Sequence, residues 1–438
     1  MTTAQPGAAE KKSWSLTKEQ ELRLEVSSKE TLKLKLVSGT AEIFGTELGK
    51  DVWYNFTDQK LAVFTWHGCE LTAEGSCAVD YIADETPMNS YINIHLALEG
   101  LRTKSAADNT KGPRVLIVGP KDSGKSSLAK ILLSYAVRQG REPVFIALDP
   151  NEGSITMPGC LSAIPLKHQL DVELGMANVL SATSEDDAVP QPLVYYYGYP
   201  SPADNIKLYH IQVDRLGEML NKRLESDKEN RVSGCIIDTC GLADDIGFNA
   251  HTHAIKALDA NVVMVVGHER LYSDLLRANK DNNNITILRL AKSGGVVNRD
   301  PVLMRHLQMK SIREYFYGCP GHDLSPSPNI VKFEDVNIFK VGEGVLAPSS
   351  ALPVGMDRKV NETMLAKVEL GDNLLHAVLA VCSADSQDEA VLLRANVHGF
   401  VYISEIDASK QIMTLLMPCP GRLPKTFLLM GSFRWIES

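Results

Sequence analysis

The sequence predicts a chain of three parts: an N-terminal β domain of sandwich type, a central α/β domain with a parallel sheet, and a third domain of mixed character. Three observations carry this. Apolar and charged residues alternate early in the chain, as in Leu32-Lys33-Leu34-Lys35-Leu36, the period of a strand with one buried face. From about 112 to 318, short apolar runs are separated by helical ones, the pattern of parallel strands covered on both faces. Within that region Gly119-Pro120-Lys121-Asp122-Ser123-Gly124-Lys125-Ser126 has the phosphate-loop spacing G-x-x-x-x-G-K-[ST], with an apolar strand before it and a helical run after it.

Taken in order, residues 1–13 are small and polar and read as disordered. Leu22, Leu24 and Val26, then Leu32–Leu36, Ala41–Phe44, Leu61–Trp66 and Cys77–Ile82 read as strands of the β domain, residues 1–105. The polar segment Thr103–Gly112 reads as a linker. In the central domain, residues 106–318, the strands are Val115–Val118, Val144–Leu148, Cys235–Ile237, Val262–Val266 and Ile285–Leu290. Leu128–Arg138 and Val213–Leu224 read as helices, the latter with Val213, Leu216, Leu220 and Leu224 on one face. Residues 181–191, with Glu185, Asp186 and Asp187, read as an exposed loop. The Gly-, Pro- and Ser-rich run from Gly318 to Pro328 ends the central domain. In the third, residues 319–438, Asn337–Val341, Gly399–Ile406, Gln411–Met417 and Phe427–Gly431 read as strands, with Asp407–Lys410 as a hairpin turn.

Composition narrows the function classes. The chain has 438 residues, 44% of them hydrophobic, and a formal charge of -9. That is core enough for two to three domains, and too acidic for broad nucleic-acid coating, although a local basic cleft stays open. The eight cysteines show no C-x-x-C spacing, so a reducing compartment is the natural reading. No apolar run reaches the roughly 18 residues of a membrane helix, and the N-terminus lacks an apolar signal core. The chain reads as soluble and intracellular, with no membrane partner. No nuclear-import cluster decides between nucleus and cytoplasm.

The chemistry centres on the loop. Its inward-turned N–H groups and the following helix N-terminus make an anion site. Lys125 would reach the terminal phosphates and Ser126 would hold Mg²⁺. Ligands in such sheets bind at the carboxyl ends of strands, where two carboxylates stand. Asp238 fits a Walker-B position for Mg²⁺, and Asp149 a general base for a hydroxyl nucleophile; either is otherwise a turn or helix-cap aspartate. Lys292-Ser293-Gly294-Gly295, with Arg299, Arg305 and Arg313, reads as a mobile lid or as a solvated helix face. Tyr195–Tyr197 and Tyr199 read as an aromatic strand sooner than a base-stacking platform. His251-Thr252-His253 lacks further ligands at metal spacing and does not read as a metal site.

Longer motifs add a resemblance. Glu21-Leu22-Arg23, Ala41-Glu42-Ile43-Phe44-Gly45-Thr46-Glu47-Leu48, Val63-Phe64-Thr65-Trp66-His67-Gly68-Cys69, Ser311-Ile312-Arg313-Glu314-Tyr315-Phe316-Tyr317-Gly318 and Pro420-Gly421-Arg422-Leu423-Pro424 together resemble the Clp one family. Its members are subunits of the pre-mRNA cleavage and polyadenylation machinery and, in animals, also polynucleotide 5′-hydroxyl kinases. The resemblance spans nearly the whole chain. It implies an N-terminal β-sandwich, a central P-loop NTPase domain and a C-terminal α/β domain, with ATP between the first two. Glu21 and Lys60 would contact the adenine side; Gly119, Asp122, Ser123, Gly124, Lys125, Ser126 and Ser127 would bind the phosphates. The resemblance also implies a nuclear location and binding to the scaffold subunit that reads the polymerase II C-terminal domain. Other cleavage and polyadenylation subunits and, indirectly, pre-mRNA follow as partners.

The chain departs from the animal kinases at three places. Their L-D-V-G-Q-G is here Leu148-Asp149-Pro150-Asn151-Glu152-Gly153. Their N-T-C-G-W is Asp238-Thr239-Cys240-Gly241-Leu242, without the tryptophan that stacks on RNA, a loss of about 1–3 kcal/mol. In the lid Arg299 matches, but Met304 and Gln308 stand where active kinases have arginines, and an arginine of that kind is worth about a thousandfold in rate. In these respects the chain resembles fungal members. The leading expectation is an ATP-binding subunit of the pre-mRNA cleavage factor complex, required for endonucleolytic cleavage in polyadenylation-dependent 3′-end formation, with structural ATP. The alternative is an active RNA 5′-hydroxyl kinase in which Lys125, Asp149 and Arg299 carry catalysis. An unrelated P-loop NTPase or small-molecule kinase comes third.

Overall fold

A computed structural model describes residues 11–176, 191–319, 321–341 and 365–437. The N-terminal part is a sandwich of two antiparallel sheets. One runs in the order Lys11–Leu16, Cys69–Gly75, Leu32–Gly39, Trp53–Phe56; the other Thr46–Glu47, Glu42–Ile43, Gln59–Thr65, Gln20–Val26, Val79–Ala83. The period-two leucines do what alternation predicts: Leu32, Leu34 and Leu36 are buried while Lys33 points out. They meet Leu22, Leu24 and Val63 of the facing sheet. Lys11–Ser13, read as disordered, belong to the first strand, paired with Thr72–Glu74; residues 1–10 of that reading lie outside the described residues.

The expected linker is a second correction. Thr103–Asp108 are the last turns of a 21-residue helix α1 (Met88–Asp108), closed by Asn109 in the left-handed conformation. Its inward stripe is Met88, Tyr91, His95, Leu98, Arg102 and Ser105, a helical spacing. Half of that stripe is polar, so hydrophobic patterning does not reveal it. Arg102 is buried because its Nε donates to the Ser233 carbonyl at 3.1 Å. His95 packs edge-on to Tyr135.

The central sheet orders its strands Leu193–Tyr196, Cys160–Pro165, Val144–Ala147, Cys235–Asp238, Arg114–Val118, Val262–Val266, Thr286–Leu290. The last five are mutually parallel; Cys160–Pro165 and Leu193–Tyr196 are antiparallel. The expectation of a parallel sheet therefore fails at one edge. No helix intervenes between Ala147 and Cys160, and without a crossover the chain returns antiparallel. In Arg114–Val118, Val115 and Ile117 face α1 and the helix α2 (Lys125–Arg138). Leu116 and Val118 face the other layer. That layer holds α3 (Ile206–Ser226); the short α4 (Lys228–Ser233) that follows touches both α3 and α1, and α5 (Asp245–Ala257) and α6 (Glu269–Ala278) complete the layer of α3.

The core on that second face runs on into the third part of the chain. Helix α7 (Pro301–Tyr317) stacks Phe316 on Trp435 at 5.6 Å, and Tyr196 and Tyr315 both pack on Phe400. The Gly- and Pro-rich run after Gly318 is thus a boundary in sequence without a break in packing; Pro320 lies outside the described residues. A seven-stranded sheet follows in the order Ser327–Lys332, Ile412–Met417, Val397–Asp407, Ala377–Cys382, Phe427–Arg434, Asn337–Val341, Leu365–Lys367. One of its pairings, Asn337–Val341 with Phe427–Arg434, is parallel. Asp407 closes the expected hairpin by accepting the Lys410 N–H at 3.1 Å. The acidic loop expected at 181–191 falls, except for Gln191, outside the described residues.

Candidate nucleotide-binding site

The loop 119–126 bridges the strand Arg114–Val118 and α2, whose first residue is Lys125. Gly119 has φ +154°, and a Cβ there would stand 2.5 Å from the Val266 carbonyl oxygen. Only glycine lets the loop pass so close to the neighbouring strand. Lys121 to Ser127 line a cavity of about 480 Å³. Lys125 Nζ curls back to donate to the Pro120 carbonyl at 2.9 Å. The Ser123 side chain is buried with its hydroxyl unpartnered among the described residues.

The opposite wall belongs to the sandwich. Glu21 and Lys60 line the same cavity, from adjacent paired strands. Glu21 is buried, one carboxylate oxygen accepting from Arg23 Nε at 2.6 Å and the other from the Thr86 hydroxyl at 2.6 Å. Lys60 pairs with Glu25 at 3.1 Å. Phe64, Met88 and Tyr91 give the cavity an apolar wall, a surface suited to a flat ring. Neither Phe64 nor α1 stands out as a site element in the sequence, because both carry ordinary core residue types.

The wall is held in place through α2. A hairpin at Glu42–Glu47 seats on it: buried Glu42 accepts the Tyr135 hydroxyl and pairs with Arg138 at 3.0 Å. Burial pushes the Glu42 carboxyl up, against the pull of Tyr135 and Arg138. Thr46 Oγ1 donates to the Leu170 carbonyl at 3.1 Å.

The carboxylates at the strand ends take two positions. Asp149 lines the cavity and accepts the Asn151 N–H at 2.9 Å, so it shapes its own turn as well. Burial, and then the charge of Glu152, hold its carboxyl well above the ordinary range. Asp238 ends its strand behind the wall and caps no helix, since α5 is capped by Asp244. Among the described residues its Oδ1 is buried without a hydrogen-bond partner, and burial, then Glu152, push its carboxyl up to about 6. Ser126 donates to Glu152 at 3.4 Å, and its hydroxyl is near enough to Asp238 to lower that carboxyl slightly against burial. An orphaned carboxylate oxygen beside a serine hydroxyl is a hard-oxygen donor set that fits Mg²⁺. Among the described residues no group of three or more His, Cys, Asp or Glu is arranged to hold a metal by itself; Mg²⁺ commonly completes such a shell with waters and phosphate oxygens.

The segment Gly295–Arg299 lies over the loop. Val296 stands 3.1 Å from where a Cβ on Gly124 would be, and Gly295 stands directly against Arg23. Arg299 Nε donates to Asp122 at 2.8 Å and its Nη1 pairs with Glu152 at 2.7 Å. Asp122 also accepts the Arg299 backbone N–H at 2.9 Å. Burial alone would raise the Asp122 carboxyl, but these bonds outweigh it and hold it low. Arg305 and Arg313 are not brought to the cavity: Arg305 is exposed, and Arg313 lies over the Tyr317 ring. Gln308 donates to Asn151 at 2.8 Å, and Met304 is buried.

Two other groups resolve as packing. Tyr195, Tyr196 and Tyr197 are buried in the core. His251 hydrogen-bonds the Leu242 carbonyl at 2.9 Å, whereas His253 pairs with Asp214 and stacks on His210. The two histidines of the triplet thus serve separate contacts. Leu242 itself lines the cavity.

Comparison with known proteins places this architecture. Residues 15–105 match the model for the N-terminal beta-sandwich domain of polyadenylation factor, 119–318 that for the mRNA cleavage and polyadenylation factor CLP1 P-loop, and 324–437 that for the pre-mRNA cleavage complex II protein Clp1. The Arabidopsis thaliana "Protein CLP1 homolog" is 42% identical, covering 100% of this chain and 97% of its own length. The Gallus gallus "Polyribonucleotide 5′-hydroxyl-kinase Clp1" is 40% identical over 99% of each. The Botryotinia fuckeliana "mRNA cleavage and polyadenylation factor clp1" is 42% identical over 95% of this chain and 92% of its own. A solved complex of Clp1p with a Pcf11p fragment superposes with a TM-score of 0.87 at 31% identity, covering 98% of this chain and 100% of that one. With all three domain models matched in order and relatives aligned end to end, the chain belongs to the Clp1 family.

Proposed function

We propose that this chain is an ATP-binding subunit of the pre-mRNA cleavage factor complex, required for endonucleolytic cleavage in polyadenylation-dependent mRNA 3′-end formation, in the nucleus. Its ATP is structural. The observation that carries this reading is the cavity with one wall from the sandwich and the other from the phosphate loop. A nucleotide there would fasten the two parts together. Ligand binding to the folded state at a thousandfold excess over Kd adds about 4 kcal/mol of stability, which is role enough without turnover. Glu21 and Lys60 close the adenine side, and Gly119, Asp122, Ser123, Gly124, Lys125, Ser126 and Ser127 hold the phosphates. Ser126 and Asp238 hold Mg²⁺, which when bound neutralises phosphate charge. The functional units divide at 1–105, 106–318 and 319–438. The complex of a relative with Pcf11p supports a scaffold subunit of that kind as partner, and through it the polymerase II C-terminal domain and the other cleavage subunits.

One observation favours the kinase reading as the alternative. Asp149 lines the cavity with its carboxyl held up by burial, where a general base for a 5′-hydroxyl would stand, and Lys125 and Arg299 are at hand. Leu242 in place of a stacking ring weighs against RNA capture. The test incubates the protein with γ-labelled ATP and a 5′-hydroxyl RNA, beside Lys125→Ala. Structural ATP predicts unlabelled RNA while ATP is still recovered from the purified protein. Label that vanishes with Lys125→Ala would establish the kinase instead. A pull-down with cleavage-factor subunits tests the assembly.

A further inference from the structure

Position 152 is a glutamate, in the turn after the strand Val144–Ala147. Glutamine would have the same shape and differ in charge. The Glu152 carboxylate spans the site: Oε1 pairs with Arg299 Nη1 at 2.7 Å, and Oε2 accepts from Ser126 Oγ at 3.4 Å. Asp122 holds the other side of the same arginine, at 2.8 Å through Nε and 2.9 Å through the backbone N–H. Lys121 Nζ donates to the Arg299 carbonyl at 2.6 Å. Gln308 of the lid helix pins the turn that carries Glu152, donating to the Asn151 side chain at 2.8 Å and its carbonyl at 3.0 Å. Arg299 is therefore matched by two protein carboxylates, although it is the lid cation placed over the phosphate loop.

We propose that Glu152 is a positioning residue that latches Arg299 onto the protein and away from a nucleotide's terminal phosphate, so that a bound ATP is not used for phosphoryl transfer. The proposal rests on the reading of this cavity as the ATP site. Two effects of one charge support it. A guanidinium paired to carboxylates has less charge to offer a transferring phosphoryl group. The same carboxylate, beside Ser126, repels the phosphates that the loop would cradle, an interaction that weakens only as the inverse of distance.

The test uses the full chain as wild type, E152Q, E152D, R299A and the E152Q/R299A double variant, each checked by thermal melting. MgATP affinity is read by equilibrium dialysis, and transfer by label passed to a 5′-hydroxyl RNA. E152Q should bind MgATP about tenfold more tightly and raise transfer about tenfold or more over the wild type. The gain in transfer should vanish in the double variant, whereas the part of the affinity gain that comes from relieved repulsion should remain, and E152D, which keeps the charge, should behave as wild type. An E152Q affinity equal to or weaker than wild type overturns the latch, as does unraised transfer or a gain in transfer that survives R299A. Failure of the retention reading looks different: the wild type itself would label RNA in a Lys125-dependent way, and the latch would still be judged by the ratio of E152Q to wild type.

Discussion

Gly45→Ala is the sharpest probe of how the sandwich meets the nucleotide cavity. Gly45 sits at φ +84° in the hairpin seated on α2, and a Cβ there would stand 2.9 Å from Ser134 Cβ and 3.0 Å from the Ile131 carbonyl oxygen. The left-handed conformation costs a non-glycine residue about 1–2 kcal/mol. Forcing a methyl group into a packed contact costs about 1–3 kcal/mol more. Together about 2–5 kcal/mol oppose docking. The docked hairpin helps hold Glu21 and Lys60 facing the phosphate loop, together with Asp58 paired to His306 and Lys310, so up to the same energy opposes ATP. At 1.4 kcal/mol per factor of ten, the ATP Kd should rise by between about thirtyfold and a few thousandfold, less any reserve of docking stability. Gly140→Ala is the control. It too has a positive φ, +72°, but its Cβ would meet nothing within 4 Å. It should lower Tm by a few degrees and leave the Kd alone. Equilibrium dialysis with labelled ATP reads the difference. A Gly45→Ala protein that binds ATP within twofold of Gly140→Ala would refute the docking argument.

Other outcomes follow from the same contacts. Tyr135→Phe leaves buried Glu42 short of one donor and should cost about 1–3 kcal/mol in thermal or denaturant unfolding; an unchanged midpoint would show that water replaces the hydroxyl. Lys125→Ala should abolish recovery of ATP with the purified protein while far-ultraviolet circular dichroism stays the same. Burial holds His95 and His251 down to about 4, so both are neutral in the fold. Their contribution is complete above the unfolded value near 6.5 and is lost as pH falls from there toward 4, about 1.4 kcal/mol per pH unit each. His251→Gln should therefore flatten the fall of Tm between pH 6.5 and 5. Parallel curves for variant and wild type would count against this.

Much of the architecture was legible without coordinates. The leucine alternation at Leu32–Leu36, the apolar strands around Val115–Val118 and the glycine-lysine loop each follow from interactions within a few residues. Such patterns survive being read along a line. Helix α1 did not, since three of its six inward residues are polar and become tolerable only through partners far away in sequence, Ser233 for Arg102 among them. The antiparallel edge at Cys160–Pro165 was missed for a related reason: strand direction depends on what the connection does in space.

By itself, the sequence determined that a phosphate-binding loop stands at the head of an α/β sheet beside a β-sandwich, because loop spacing and strand period are local. The tertiary structure alone decided what surrounds the loop. Arg299 and Glu152 are 147 positions apart by their numbers yet form one ion pair, and Glu21 reaches the cavity from a sandwich that is seated in part by Glu42–Glu47 on α2. Charges interact through space regardless of chain order, so a site assembled from many separate segments has no signature along the chain.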